Sequence, residues 1–264
     1  LEPISLLICF LLGIVTGTVA AFFGIGGGIL FVPILVLIFH LKQQEASGTS
    51  LLAIFFTSTS ASIAYFRQRR VLVKVGIFLE SLTIPGAIIG ALFSSQVPEK
   101  TLRILFVIGA FLVGINMIVR GRPALLRELQ SDMDDPSRAI SVYEIKKTRV
   151  LAAGVFSFLA GMVAGAIGIG GGVIKVPIMY YLLGIPIHFA VATSSFMIML
   201  TSAVAVLTHF ELQQVVPELG ITLGIGAILG AQLGARIGRR VKAAVLRRLF
   251  GVILLIVGAR MLLL

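Results

Sequence analysis

The sequence predicts an all-α polytopic membrane protein made of two inverted-topology repeats. Three observations predict it: an apolar composition, a tandem duplication, and a basic-residue bias that changes sides between the two copies. Of 264 residues, 58% are hydrophobic and 12% charged, with a mean hydropathy of +1.09. Soluble domains run near half apolar and a quarter charged, so this chain carries more apolar surface than one water-facing core hides. The apolar stretches lack polar alternation, which argues against a β-barrel. The 29 glycines suit helices packed closely in lipid.

Five apolar segments come first, at about 4–23, 29–41, 46–66, 71–94 and 102–119. A polar stretch from Arg120 to Arg149 follows, then five more, at about 150–167, 173–184, 188–210, 215–235 and 245–264. The first segment has no basic stretch before it and belongs to the repeat, so it reads as mature structure rather than a signal peptide. The second of each set, with about a dozen apolar residues, is too short to cross and fits a re-entrant piece. The third, fourth and fifth approach the ~20 residues a crossing needs. Cys9 is the single cysteine, which excludes an intrachain disulfide and a cysteine metal cluster.

Sliding the chain by 144 positions aligns Gly17–Val119 with Gly161–Leu263 without a gap, and 36 of the 103 pairs are identical. Gly24, Ile25, Gly26, Gly27 and Gly28 fall on Gly168, Ile169, Gly170, Gly171 and Gly172. Val32 and Pro33 fall on Val176 and Pro177. Thr49, Ser50, Thr57 and Ser58 fall on Thr193, Ser194, Thr201 and Ser202.

Cytoplasmic loops collect Lys and Arg. The loop after the third segment carries Arg67, Arg69, Arg70 and Lys74 in the first copy, but Glu211 and Glu218 in the second. The next loop reverses the bias, with Arg239, Arg240 and Lys242 standing where the first copy has Ser95, Gln96 and Pro98. Homologous loops therefore face opposite sides. With the basic linker, 17 of the 22 Lys and Arg lie on one side, which is taken as cytoplasmic. The expected organisation is repeat 1 at 1–120, a cytoplasmic linker at 121–148 and an inverted repeat 2 at 149–264. Both termini then lie outside. Inversion needs an odd number of crossings per half, either five spans or three full spans plus a re-entrant or broken pair tipped by GIGGG. The short second segment favours the pair.

Each GIGGG links two helical segments. Positive φ and close backbone approach demand glycine there, and several N–H groups converge beside a helix N-terminus, which makes an anion site. The alternative is a tight turn that only permits packing. Gly24, Gly26, Gly27, Gly28, Gly168, Gly170, Gly171 and Gly172 are the candidate binding residues. Lys175 lies three residues past Gly172, where the first copy has Phe31. It would add a full positive charge, unless it snorkels to an interface. Thr49, Ser50, Thr193, Ser194 and Ser195 are candidate hydroxyl donors to an oxyanion, with helix packing or back-bonding as the alternative. Glu80, opposite Gly224 in the repeat, is the acid well inside an apolar run and a candidate proton carrier; a structural pair is the alternative. His40, His188 and His209 are far apart, with no metal-ligand spacing and no catalytic set. No metal, cofactor or enzymatic activity is expected. The formal charge of +11 tracks membrane topology rather than a nucleic-acid partner.

The paired GIGGG turns with their following Val-Pro, the Ala46–Ser50 and Ala190–Ser194 stretches and the late glycine pairs Gly86/Gly90 and Gly230/Gly234 resemble the TauE/SafE family. The resemblance covers nearly the whole chain outside the linker. It implies movement of small sulfur-containing anions, such as sulfite or an organosulfonate like sulfoacetate, across the cytoplasmic membrane, commonly outward. The residues and the resemblance together suggest a secondary transporter working by alternating access, with a small anion and the lipid bilayer as its partners. A homo-oligomer is compatible with this reading. A passive anion channel using the same positively polarised site is the alternative.

Overall fold

A computed structural model describes residues 3–93 and 147–263 apart from Ile169, with scattered positions between 104 and 119. Among the described residues every regular element is helical. The first half holds α1 (Pro3–Phe23), α2 (Gly28–Leu37), α3 (Gln43–Arg67) and α4 (Val73–Phe93). The second holds α5 (Lys147–Ile167), then α6 (Gly172–Pro177) running into a π-helical turn at Ile178–Leu182. It continues with α7 (Ile187–Glu211), α8 (Pro217–Arg240) and α9 (Ala243–Leu263). Adding 144 to the bounds of α1 and α3 gives those of α5 and α7. The linker before Lys147 and most of the fifth apolar segment lie outside the described residues; Ile104, Val107, Phe111 and Ile115 of that segment are helical.

Among the described residues six helices are long and apolar enough to cross a bilayer: α1, α3, α4, α5, α7 and α8. The sequence reading finds the third, fourth and fifth segments of each half long enough to cross; the third and fourth are among these six together with the first, and most of the fifth segment of the first half lies outside the described residues. At 21 residues and a hydropathy of 2.5, α1 is a full-length apolar helix, and α9 carries a shorter apolar run at Gly251–Arg260. As expected, α2 is too short to cross, with 10 residues, or about 15 Å of helix. Pro33 and Pro177 sit inside α2 and α6, and the missing N–H of Pro177 precedes the change to π geometry.

Exposed Ile4, Leu7, Ile8, Leu11 and Val15 on α1 form an outward stripe at helical spacing, as do Ile221, Ile225, Leu229, Leu233 and Ile237 on α8. The buried faces instead hold alanine, glycine, serine and threonine, the composition expected where lipid surrounds the bundle and helices associate by close packing. Glycines set the main seams, and each seam joins the two halves. Gly13 packs on Leu223, Gly17 on Ala227, Gly230 on Ile14 and Gly234 on Thr18, so α1 and α8 run parallel. Gly161 on Thr83 and Gly165 on Ala87 make α5 and α4 parallel in the same way. At Gly90, Gly161, Gly165, Gly226, Gly230 and Gly234 an added Cβ would collide with a backbone carbonyl of the facing helix.

At the centre, α3 and α7 cross antiparallel. Gly48 near the start of α3 packs on His209 near the end of α7, while Phe66 at the end of α3 meets Phe196 early in α7, ring centroids 5.5 Å apart. Leu52 and Phe56 of α3 pack on Gly220 and Gly224 of α8, so those two run parallel. Gln68 Nε2 donates to the Ala235 carbonyl at 3.2 Å, placing the ends of α3 and α8 together. The basic loops after α3 and after α8 thus meet at one end of the bundle.

Candidate functional site

The two glycine turns share one backbone conformation. Gly24, Gly26 and Gly27 have φ of 67°, 79° and 100°, and Gly168, Gly170 and Gly171 have 75°, 77° and 71°. A side chain at these left-handed positions would be strained, which is why both copies read GIGGG. After each turn the chain re-enters a helix: Leu30 and Phe31 donate back to the Gly27 carbonyl, and Ile174 and Lys175 to that of Gly171. The amides just before them begin the helices and have no intrahelical acceptor.

The turns meet. A Cβ on Gly172 would lie 2.5 Å from the Gly24 carbonyl oxygen and 2.7 Å from the Ile25 Cα. Each turn is seated on the other half: Gly24 packs on Val191 of α7 and Gly168 on Ser47 of α3. Ser194 Oγ donates to the Gly24 carbonyl at 2.8 Å, and Ser50 Oγ donates to the Gly168 carbonyl at 2.8 Å. Ile54 and Ile198, counterparts near the midpoints of α3 and α7, both press on Gly26 and Gly170. The turns are therefore closed off by packed apolar side chains at the middle of the bundle.

The candidate hydroxyls all have protein partners in this closed arrangement. Thr49 Oγ1 accepts from the Val216 N–H at 2.9 Å and Thr193 Oγ1 from the Leu72 N–H at 3.0 Å. These repeat-related bonds anchor the α7–α8 and α3–α4 loops. Ser195 Oγ bonds back to the Val191 carbonyl at 3.1 Å. Thr57, Ser58 and Ser202 bond back to carbonyls four residues earlier. Ser50 and Ser194 thus hold the turns in place, and Thr49 and Thr193 hold the loops.

The charged candidates break the symmetry. Lys175 is fully buried and Glu80 is 1% exposed. Lys175 Nζ donates to Glu80 Oε2 at 3.0 Å and to Thr201 Oγ1 at 2.6 Å, and the Thr201 hydroxyl donates to Glu80 Oε1. The lysine stem runs along the turn, its Cε 3.5 Å from where a Cβ on Gly171 would stand. Lys175 therefore meets the turn with its charge already balanced, rather than as a bare cation. Sequence reasoning named both residues but did not join them, because they lie 95 positions apart in different halves. The available signal was that each is a charge within an apolar run with an uncharged counterpart. Sequence reasoning also passed over His209, whose Nε2 lies 3.0 Å from the Gly165 carbonyl. Its counterpart Tyr65 donates from its hydroxyl to the matching Ala21 carbonyl at 2.6 Å.

Among the described residues no group of three or more His, Cys, Asp or Glu is placed to hold a metal ion. The chain matches the sulfite exporter TauE/SafE family over residues 9–261. It is 33% identical over 220 residues to a Bacillus subtilis (strain 168) protein described as probable membrane transporter protein YunE, covering 78% of each chain. A second B. subtilis protein, probable membrane transporter protein YdhB, is 30% identical over 194 residues, 73% of this chain and 72% of that one. A probable membrane transporter protein of Methanocaldococcus jannaschii is 29% identical over 198 residues, 73% of this chain and 67% of that one. Six apolar helices of crossing length and a family match over nearly the whole chain make this a multi-pass membrane protein and a transporter rather than an enzyme: the chain belongs to the TauE/SafE sulfite exporter family.

Proposed function

We propose that the protein is a secondary transporter that moves a small sulfur-containing oxyanion, sulfite or an organosulfonate such as sulfoacetate, out of the cell by alternating access. The observation that carries this reading is the meeting of the two glycine turns near the midpoints of α3 and α7, each bonded to the opposite half by Ser50 or Ser194. The two repeats are inverted, a reading supported by the antiparallel crossing of the counterparts α3 and α7. Each copy is a re-entrant helix pair with further full spans, repeat 1 at 1–120 and repeat 2 at 149–264. The linker at 121–148 is cytoplasmic with both termini outside, since the loops bearing Arg67, Arg69, Arg70, Arg240 and Lys242 gather at one end.

In the open states the Ile54–Ile198 contact parts and the anion reaches the backbone amides of Gly26, Gly27 and Gly28 and of Gly170, Gly171 and Gly172, with Lys175 beside them. The present closed arrangement is the occluded intermediate. Ser50 and Ser194 hold that backbone, Thr49 and Thr193 hold the loops beside it, and these hydroxyls with Ser195 line the path. The test is flux of sulfite, sulfoacetate, taurine, sulfate and thiosulfate into proteoliposomes of the purified protein. Saturable transport of at least one anion, abolished by Gly171→Val, is the expected result. Flux that rises without saturation identifies a channel instead.

A further inference from the structure

Resting on that transport reading, the geometry points to Glu80, Lys175 and Thr201 as a proton-exchange gate: the transported anion and Glu80 compete for the Lys175 ammonium, and a proton on Glu80 decides which holds it. One proton then travels with each monoanion and the cycle is electrically neutral.

The argument begins with charge. In the closed state the cluster holds one cation and one anion in mutual contact, both buried. An anion entering beside Gly171 would meet an already neutral pair and add an uncompensated negative charge to a membrane interior, where unpaired charge is strongly disfavoured. Protonation of Glu80 removes that obstacle. Its carboxyl stays in place as a neutral group, Lys175 keeps its ammonium charge, and the ammonium turns from Glu80 to the anion. When the anion leaves on the other side, Glu80 releases its proton to water and Lys175 closes on it again. Loaded and empty forms carry the same net charge, so either can pass through the occluded state.

Three further features fit an exchange. Thr201 bridges both members of the pair, and its hydroxyl can accept from a carboxyl as readily as it donates to a carboxylate. Ser157 on α5 is fully buried, and its Oγ has no hydrogen-bond partner. The α4–α5 register, Gly161 on Thr83 and Gly165 on Ala87, sets Ser157 one turn earlier, against the turn bearing Leu79 and Glu80. A buried hydroxyl without a partner thus stands on the neighbouring helix at the level of Glu80. Finally, the repeat counterparts of Lys175 and Glu80 are Phe31 and Gly224, so the duplication supplies this device once.

The other ionisable groups on the elements packed around the pair are Lys74 on α4, Lys147 and Arg149 at the start of α5, and Tyr180 and Tyr181 after α6. On α7 they are His188, His209 and Glu211. Glu80 and Lys175 bond to each other and to Thr201 rather than to these. His209 is held by Gln214 and Gly165.

The experiment uses proteoliposomes of the full chain, 35S-labelled methanesulfonate as a monoanion that does not itself titrate, a trapped pH indicator, and valinomycin with potassium to impose a membrane potential. The expected result is one proton moved per anion and rates unchanged by the potential. The half-saturation concentration rises about tenfold per pH unit on the alkaline side, where each binding event must recruit a proton. In Glu80→Gln, proton movement ceases, the pH dependence flattens and the potential drives the flux. Methanesulfonate moved by the unaltered protein without protons, or at rates that follow the potential, overturns the gate while leaving transport standing. If neither methanesulfonate nor any of the five solutes above is moved, the transport reading fails and the gate with it. The proton-to-anion ratio of the unaltered protein decides the matter even if Glu80→Gln does not fold.

Discussion

The first-half and second-half glycine turns are two copies of one backbone with different side chains around them. What they share is the scaffold: left-handed glycines, a serine from the opposite half on the turn carbonyl, and a threonine on the opposite loop amide. What they do not share is charge. Phe31 and Gly224 stand around the first turn where Lys175 and Glu80 stand around the second. Duplication accounts for the shared scaffold, and divergence placed a buried lysine and glutamate at one of its two turns. Substitutions in the shared set should therefore have matched effects in the two halves, and those in the unshared set should not.

The largest effect is expected at the ion pair. Lys175→Met alone leaves a buried carboxylate unpaired and should cost about 3–5 kcal/mol, whereas Lys175→Met with Glu80→Leu should return most of it, since an apolar pair of similar volume is often neutral or stabilising. Phe31→Leu, the matching first-half change, should cost only about 1 kcal/mol. Thermal unfolding in detergent can be followed through Cys9, which is fully buried, with a thiol-reactive fluorophore. A single and a double variant of equal stability would show that the pair is not coupled in the folded protein.

Next come the turns. Gly24→Ala would set a Cβ 2.5 Å from the Val191 carbonyl oxygen at φ 67°, and Gly168→Ala one 2.6 Å from the Ser47 Cα at φ 75°. Left-handed strain and overpacking together should cost roughly 3 kcal/mol in each case. A difference between the two well beyond 1 kcal/mol in the same unfolding measurement would show that the scaffold is less symmetric than its bonds. A smaller matched effect is expected from Ser50→Ala and Ser194→Ala, each losing one buried hydroxyl–carbonyl bond, about 1 kcal/mol.

Much of this was legible in the sequence, for a physical reason. Crossing a bilayer forces long apolar helices, and the offset of 144 forces equal boundaries, so α1 with α5 and α3 with α7 could be read from residue types alone. The glycine clusters were legible because their backbone excludes side chains. The contact between Lys175 and Glu80 was not, since no periodicity relates positions in different halves that are not repeat counterparts. Nor were the acceptors of Ser50 and Ser194, because a hydroxyl bonds equally well to its own helix or to another.

The smallest expected effect, an unchanged coupling ratio, separates scaffold from charge most finely. Tyr65 and His209 are repeat counterparts that tie α3 and α7 to the Ala21 and Gly165 carbonyls, themselves counterparts. If both are only ties, Tyr65→Phe, which loses one bond, should cost about 1 kcal/mol and His209→Phe, which loses those to Gly165 and Gln214, about 2 kcal/mol, and both should leave the proton-to-anion ratio unchanged. Thermal unfolding and the ratio, measured on both variants, give two independent readings. A changed ratio in His209→Phe but not in Tyr65→Phe would move the histidine from the shared scaffold into the charged set. The coupling path would then extend from Glu80 along α7 toward its end, because α7 carries both Thr201, which bonds Glu80, and His209 two turns further on.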